Sequence, residues 1–121
     1  MAGFIIDNVE NGIVKHFHYE DIDALRHDPN VILLDTRTLM EYMRGHAEGF
    51  IHIPLDDLRE RLHELDRTKK IYVMCQSGLR SYLATRILMQ NGFDAYNFSG
   101  GFRFYQNVHM YIEAAKPRSL R

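Results

Sequence analysis

The order of apolar and polar runs along the chain predicts an α/β domain on a mostly parallel five-stranded sheet, with helices on both faces. Three observations carry that prediction. Two continuous apolar runs, Val31-Ile32-Leu33-Leu34 and Ile71-Tyr72-Val73-Met74, read as strands buried on both faces. Each is followed at once by a polar loop, and strand-like and helix-like patterns alternate over the whole length. The 121 residues fit one domain and leave no room for a second core.

Residues 13–17 are a short strand candidate, and Ile22 and Leu25 place one apolar stripe on a short helix before Asp28-Pro29-Asn30 breaks the chain. The strand at 31–34 runs into Asp35-Thr36-Arg37. Residues 39–44 allow about two helical turns, closed by Gly45. After Gly49, residues 50–53 form another short strand ending at Pro54. Leu55, Leu58, Leu62 and Leu65 recur at helical spacing, with acidic residues towards the start and basic ones beyond the end, predicting an amphipathic helix whose leucines face the core. The strand at 71–74 leads through Cys75-Gln76-Ser77-Gly78 into a helix with Leu79, Leu83, Ile87 and Leu88 on one face, closed by Asn91-Gly92. A last strand is expected at 95–98, then the turn Ser99-Gly100-Gly101 and an aromatic-rich helix from Phe102 to Ala115. Residues 116–121 form a basic tail expected to fray.

Composition narrows the function. A formal charge of -1, from 15 basic and 16 acidic side chains, provides no global field for nucleic acid or an anionic membrane. No apolar run approaches a bilayer span, and the first residues lack a basic region followed by an apolar core, so the cytoplasm is the default compartment. With one cysteine the chain has neither an internal disulfide nor a cysteine-based zinc site. Cys75 is therefore either inert filler or the chemistry. Seven histidines lack metal-ligand spacing, and His16 with His18 is simple alternation on an expected edge strand. Met40, Met43, Met89 and Met110 read as gap fillers, and the aromatic cluster Phe102, Phe104, Tyr105 and Tyr111 as core.

In open α/β sheets ligands bind outside the carboxyl ends of the strands, where both Asp35-Thr36-Arg37 and residues 75–80 fall, so the two loops can share one site. A cysteine between a buried strand and a helix start meets unpaired backbone N–H groups and the positive end of a helix dipole, which favours thiolate. Arg80 can add positive charge, and Ser77 and Gly78 are small enough for the backbone to curl into an anion-holding nest. Such a loop suits a thiolate nucleophile that holds a covalent intermediate; the alternative is a small buried hydrophobe at a strand end.

With these residues in view, the chain from Ile13 to Tyr105 resembles the rhodanese homology family. Asp35-Thr36-Arg37 is similar to its Asp-x-Arg element, and residues 45–54, GHAEGFIHIP, to its Gly-His-Ile-x-Gly-Ala-x-x-Ile-Pro segment. Cys75-Gln76-Ser77-Gly78-Leu79-Arg80-Ser81 is similar to its active loop, and Ser99-Gly100-Gly101 to the glycine pair after its last strand. The resemblance implies a three-layer rhodanese-like fold, with Cys75 attacking the outer sulfur of thiosulfate, a polysulfide or another persulfide and passing it to an external thiol or cyanide. It implies that Cys75 and Arg80 are catalytic and that the backbone amides of Gln76, Ser77, Gly78, Leu79 and Arg80 cradle the persulfide. Asp35, Ser81 and His46 support the loop, His46 by bonding loop backbone. Arg37 borders the site, either touching substrate or forming a surface salt bridge. The family often has Trp a few residues after the glycine pair; here the stretch is Phe102-Arg103-Phe104-Tyr105 and the chain has no Trp.

Related dual-specificity phosphatases carry one more residue between cysteine and arginine, whereas this loop counts six from Cys75 to Arg80, the sulfurtransferase length. The opening residues and the GGFRFYQ ending resemble the rhodanese module at the C-terminus of coenzyme A disulfide reductase-like flavoproteins. In that case residues 1–12 would be linker from a preceding domain, FAD would belong to the fused reductase and not to this domain, and coenzyme A persulfide would be a sulfur source. The resemblance implies small sulfur donors and thiol acceptors as partners. Two competing functions remain: a noncatalytic or regulatory interaction module, and an anion-ester phosphatase on the same fold.

Overall fold

The two apolar runs that dominate the sequence become neighbouring strands at the middle of a sheet. In the computed structural model the residues described are 4–6, 13–76, 79–98 and 100–117, the side chains of 4–6, 13, 79 and 80 excepted. The strands are β1 (Phe4–Ile6), β2 (Ile13–Phe17), β3 (Val31–Asp35), β4 (Ile51–His52), β5 (Lys70–Met74) and β6 (Ala95–Phe98). The helices are α1 (Tyr19–Arg26), α2 (Leu39–Arg44), α3 (Leu55–Leu58), α4 (Leu79–Gln90) and α5 (Gly101–Ala115), with a 3₁₀ helix over Arg59–Glu64. The sheet order is β1-β2-β6-β5-β3-β4, and the five predicted strands, β2 to β6, run parallel to one another.

Alternation along the strands divides the core in two. Leu34, Ile71, Val73 and Ala95 join Leu58, Leu65, Ala84 and Leu88 beneath α3 and α4. Leu33, Met74, Phe17 and Phe98 join Ile22, Phe102 and Tyr105 beneath α1 and α5. Each large apolar side chain buried this way contributes about 1.5–3 kcal/mol, so the runs at 31–34 and 71–74 feed both layers at once.

Strand order positions the site. From β3 the chain moves outward to β4, and from β5 it moves the opposite way to β6, so the connections diverge between these two strands. Asp35 pairs in register with Met74. Arg37 and Cys75 therefore leave the sheet side by side, as expected of two loops sharing one site. At the other end of the site, Gly100 turns the chain into α5 with φ +90°, and an added Cβ would lie 2.8 Å from the Phe104 Cβ. Both the left-handed backbone and that close approach require glycine.

Several expectations are corrected. Phe4–Ile6, inside the segment read as linker, pairs antiparallel with β2 and makes a sixth strand. β2 is consequently flanked on both sides, and His16 is not on an edge; His18 lies beyond the strand as the N-cap of α1, its N–H donating to Asp21 Oδ2 at 2.9 Å. The helix expected over 55–65 is one α-turn continuing as 3₁₀. Its leucine pairs 55/58 and 62/65 are each three apart, the 3₁₀ repeat, and all four still pack on the core. In α4, Ala84 and Leu88 are buried while Leu83 is 42% exposed. Met40, Met43 and Met110 are exposed, and only Met89 of that set packs against the core. The tail residues 118–121, the Ser99 turn position and most of residues 1–12 lie outside the described residues.

Both ring nitrogens of His16 are buried without a hydrogen-bond partner, and burial, followed by repulsion from His18, lowers its pKa below 6.5. Above that value the ring is neutral folded or unfolded; below it the unfolded chain takes up the proton more readily, so stability must fall as pH drops until the folded pKa is passed. Urea midpoints measured from pH 7.5 down to pH 5 should decline, and His16→Leu should flatten that decline; an equal slope in both proteins would refute this role for His16.

Candidate active site

Asp35 and Arg37 alternate around the end of β3, and their side chains form an ion pair sealed from solvent, 0% and 1% exposed. A buried charge pair is tolerable only when its remaining donors and acceptors are satisfied. Here they are. Asp35 Oδ1 accepts from the Arg37 backbone N–H (3.0 Å) and Nε (3.1 Å), and Oδ2 accepts from Nε (3.1 Å) and Nη2 (2.9 Å). Arg37 Nη2 also donates to Gly45 O (2.7 Å), and Nη1 donates to Glu41 O and Gln76 Oε1, each at 3.3 Å. The Phe102 ring lies 3.9 Å from the guanidinium carbon.

A guanidinium carries five N–H donors, and these contacts engage every nitrogen that bears them. The surface salt bridge considered for Arg37 is corrected: the pair is buried, and Arg37 is an internal brace joining α2, the Gly45 turn and the Cys75 loop. Through Arg37, Asp35 is tied to the Gln76 side chain of the Cys75 loop. Thr36 stitches the two strand ends together, its N–H and Oγ1 both donating to Met74 O at 2.9 and 3.1 Å.

Cys75 is fully buried where β5 ends. Its carbonyl accepts from Phe102 N–H at 2.6 Å, and that of Gln76 from Arg103 N–H at 3.1 Å. The first turn of α5, aimed by Gly100, thus holds the backbone of the loop. Gln76 turns its side chain to Arg37. Leu79 and Arg80 open α4, with side chains outside the described residues, and Ser77 and Gly78 lie outside them entirely. Ser81, one turn into α4, is buried; its hydroxyl donates to Asn97 Oδ1, and its carbonyl accepts from Thr85 Oγ1 at 2.7 Å, which ties α4 to β6. His46 is exposed, stacks on Tyr42 at 3.9 Å and donates from Nδ1–H to Tyr42 O at 3.1 Å, bonding backbone of α2.

Four contributors escaped the sequence reading. His52 stacks on Tyr42 and donates from Nε2 to Arg37 O at 2.7 Å. Asn97 holds Ser81, the Gly45 carbonyl receives Arg37, and Phe102 covers its guanidinium. Gly45 and His52 lay within the GHAEGFIHIP motif and Phe102 followed the glycine pair where the Trp is missing, whereas Asn97 had no signal. Of the aromatic cluster read as core, Phe102 and Tyr105 are buried, but Phe104 and Tyr111 are 48% and 78% exposed. Beside the loop, a pocket of about 310 Å³ opens between α2 and α5. Among the described residues, no group of three or more His, Cys, Asp or Glu side chains is placed to hold a metal ion, and no helix is long and apolar enough to cross a membrane.

A parallel sheet with a cysteine loop at its switch point, braced by a buried Asp-x-Arg pair, defines a rhodanese-like α/β domain. The rhodanese-like domain family matches residues 18–107, and the chain belongs to it. Among solved structures it is similar to reduced CoADR-RHD of Bacillus anthracis, at 40% identity and TM-score 0.72 over 76% of this chain and 16% of that one. It is also similar to the NAD-dependent persulfide reductase of A. fulgidus, at 36% identity and TM-score 0.60 over the same shares. Curated relatives include YrkF of Bacillus subtilis, named a candidate sulfur carrier protein, 39% identical over 54% of this chain and 36% of its own. Another is the tRNA uridine(34) hydroxylase of Sodalis glossinidius, 36% identical over 73% of this chain and 28% of its own. The chain thus spans about a third of the length of these two relatives.

Removing one charge from a buried pair strands the other. Asp35→Asn should lower unfolding stability by about 3–5 kcal/mol, seen as a lower urea midpoint at an unchanged slope. A shift below about 1 kcal/mol, the range of exposed pairs, would show that Arg37 is not the brace described.

Proposed function

We propose that the domain is a sulfurtransferase that carries sulfane sulfur as a persulfide on Cys75. The observation that carries this reading is the cysteine's seat: at the end of the central strand β5 and ahead of the 12-residue helix α4, with the flanking backbone clamped by α5 and the neighbouring side chain by Arg37. An inert core cysteine needs no such bracing.

In the first half-reaction the Cys75 thiolate attacks the outer sulfur of thiosulfate; the donor S–S bond breaks and sulfite leaves with the electron pair, giving Cys75-S-S⁻. With a persulfide or polysulfide the leaving group is a thiolate or a shorter polysulfide. In the second, an acceptor thiolate or cyanide takes the outer sulfur and returns the Cys75 thiolate. Because this is the only cysteine of the chain, the acceptor is external. Neither step changes the net electron count, so the domain itself requires no cofactor for it.

The amides of Gln76 to Arg80 hold the persulfide, and Arg80 binds the donor's anionic end. The likeness to CoADR-RHD and to a persulfide reductase supports a parent chain in which a flavoprotein reductase domain, with its FAD, precedes residues 1–12 and coenzyme A persulfide is a donor. Cytoplasmic location follows from the same reading, since a lone reactive thiol suits a reducing compartment.

Intact-protein mass after brief exposure to thiosulfate, polysulfide or coenzyme A persulfide tests the proposal. Wild type should gain one sulfur, lose it to cyanide as thiocyanate, and Cys75→Ser should gain none and release thiocyanate only at the protein-free rate. If no donor loads the wild type, the domain is an interaction module; turnover of phosphate esters would make it a phosphatase.

A further inference from the structure

The pocket beside the Cys75 loop has an unequal lining. Its inner wall is Arg37 and Phe102, both buried and already engaged with each other, while Arg44, Arg103 and Gln106 are exposed at its rim. Arg44 sits in the last turn of α2 and Arg103 in the first turn of α5, so the two cations face the pocket from opposite elements. Neither guanidinium has an ion-pair or hydrogen-bond partner among the described residues. Against these two guanidiniums the lining sets one unneutralised carboxylate, Glu41, so the rim keeps a net positive charge. Arg37 is neutralised by Asp35, and the Glu41 carboxylate turns back to cap α2, accepting from Thr38 N–H at 3.0 Å and Thr38 Oγ1 at 3.2 Å. On a chain of net charge -1, the rim is locally cationic.

Gln76 also lines this pocket, and it adjoins Cys75. A donor lying along Gln76 can present its outer sulfur to Cys75 while its far end rests between the two arginines. Guanidinium groups match phosphate and carboxylate oxygens bidentately.

We propose that Arg44 and Arg103, assisted by Gln106, form an outer anion site for an oxyanion carried at the far end of a persulfide donor. The site selects low-molecular-weight persulfides that bear phosphate or carboxylate remote from the sulfane sulfur. This selectivity rests on the sulfurtransferase reading, whereas the anion site itself can be measured without it. During loading the Cys75 thiolate bonds to the donor's outer sulfur, the donor S–S bond breaks, and the donor thiolate leaves with the electron pair, held by its tail until the rim releases it.

Matched donors isolate the far end. Rates of Cys75 loading are measured with the persulfides of 4′-phosphopantetheine and pantetheine, which differ by one phosphate, and of glutathione and its diethyl ester, which differ by two carboxylates. Wild type should prefer the charged member of a pair, and Arg44→Gln/Arg103→Gln should reduce that preference about tenfold. Raising salt should reduce it similarly, and Arg44→Lys/Arg103→Lys should keep part of it. A loss in the first pair identifies phosphate as the ligand and a loss in the second carboxylate; unchanged ratios in both overturn the site. A binding arm separates this outcome from the chemistry: S-methyl phosphopantetheine and S-methyl glutathione are titrated by calorimetry into protein carrying Cys75→Ser, with and without the double substitution. About tenfold weaker binding of either probe supports the site even if wild type never takes up sulfur. Equal affinities reject it even if sulfur transfer proceeds normally.

Discussion

The Asp35–Arg37 pair is the constraint on which the upper end of the domain depends. A guanidinium with almost no solvent contact survives there only because carboxylate oxygens, two backbone carbonyls, an amide oxygen and an aromatic face surround it. Those partners come from α2, the Gly45 turn, the Cys75 loop and α5. The same contacts that make the buried charge tolerable therefore fix the relative placement of three otherwise separate segments, α2 with its Gly45 turn, the Cys75 loop and α5. Losing any one would leave a donor or acceptor unmatched in a dry place.

Around this brace the Cys75 loop is held at both levels of its structure. Its backbone is tied to α5 through two carbonyls, and its Gln76 side chain is tied to Arg37. Gly100 and Gly101 make the first tie geometrically available, since their left-handed turn brings the Phe102 and Arg103 amides over the loop. Phe102 then serves twice, by its N–H on Cys75 and by its ring on Arg37. A loop so held is preorganised: Cys75 is fixed at the strand end before anything binds beside it.

The division between buried and exposed arginines shows how one residue type fills two tasks within one pocket. Arg37 is fully committed to its own fold, whereas Arg44 and Arg103 are open to solvent and to an incoming anion. Sequence spacing cannot separate these tasks. Arg37 and Arg44 both lie just past a strand or within a short helix, in polar surroundings, and nothing local marks one as interior.

The alternation of apolar runs determined the fold class, the five parallel strands and the position of the cysteine loop, because strand burial and helix faces are written in local periodicity. The loop motifs likewise placed Asp35, Cys75 and Ser81 at one end of the sheet. Local pattern was silent on β1, whose pairing with β2 depends on a neighbour and not on its own three residues. It misjudged Leu83 and the exposed methionines, because which side of an apolar residue finds a partner is settled by packing. Only the tertiary structure decided the role of Arg37, the covering ring of Phe102, the part of His52 and the cationic rim at Arg44 and Arg103. Each of these is a contact between segments distant in sequence, and no single segment carries the information for it.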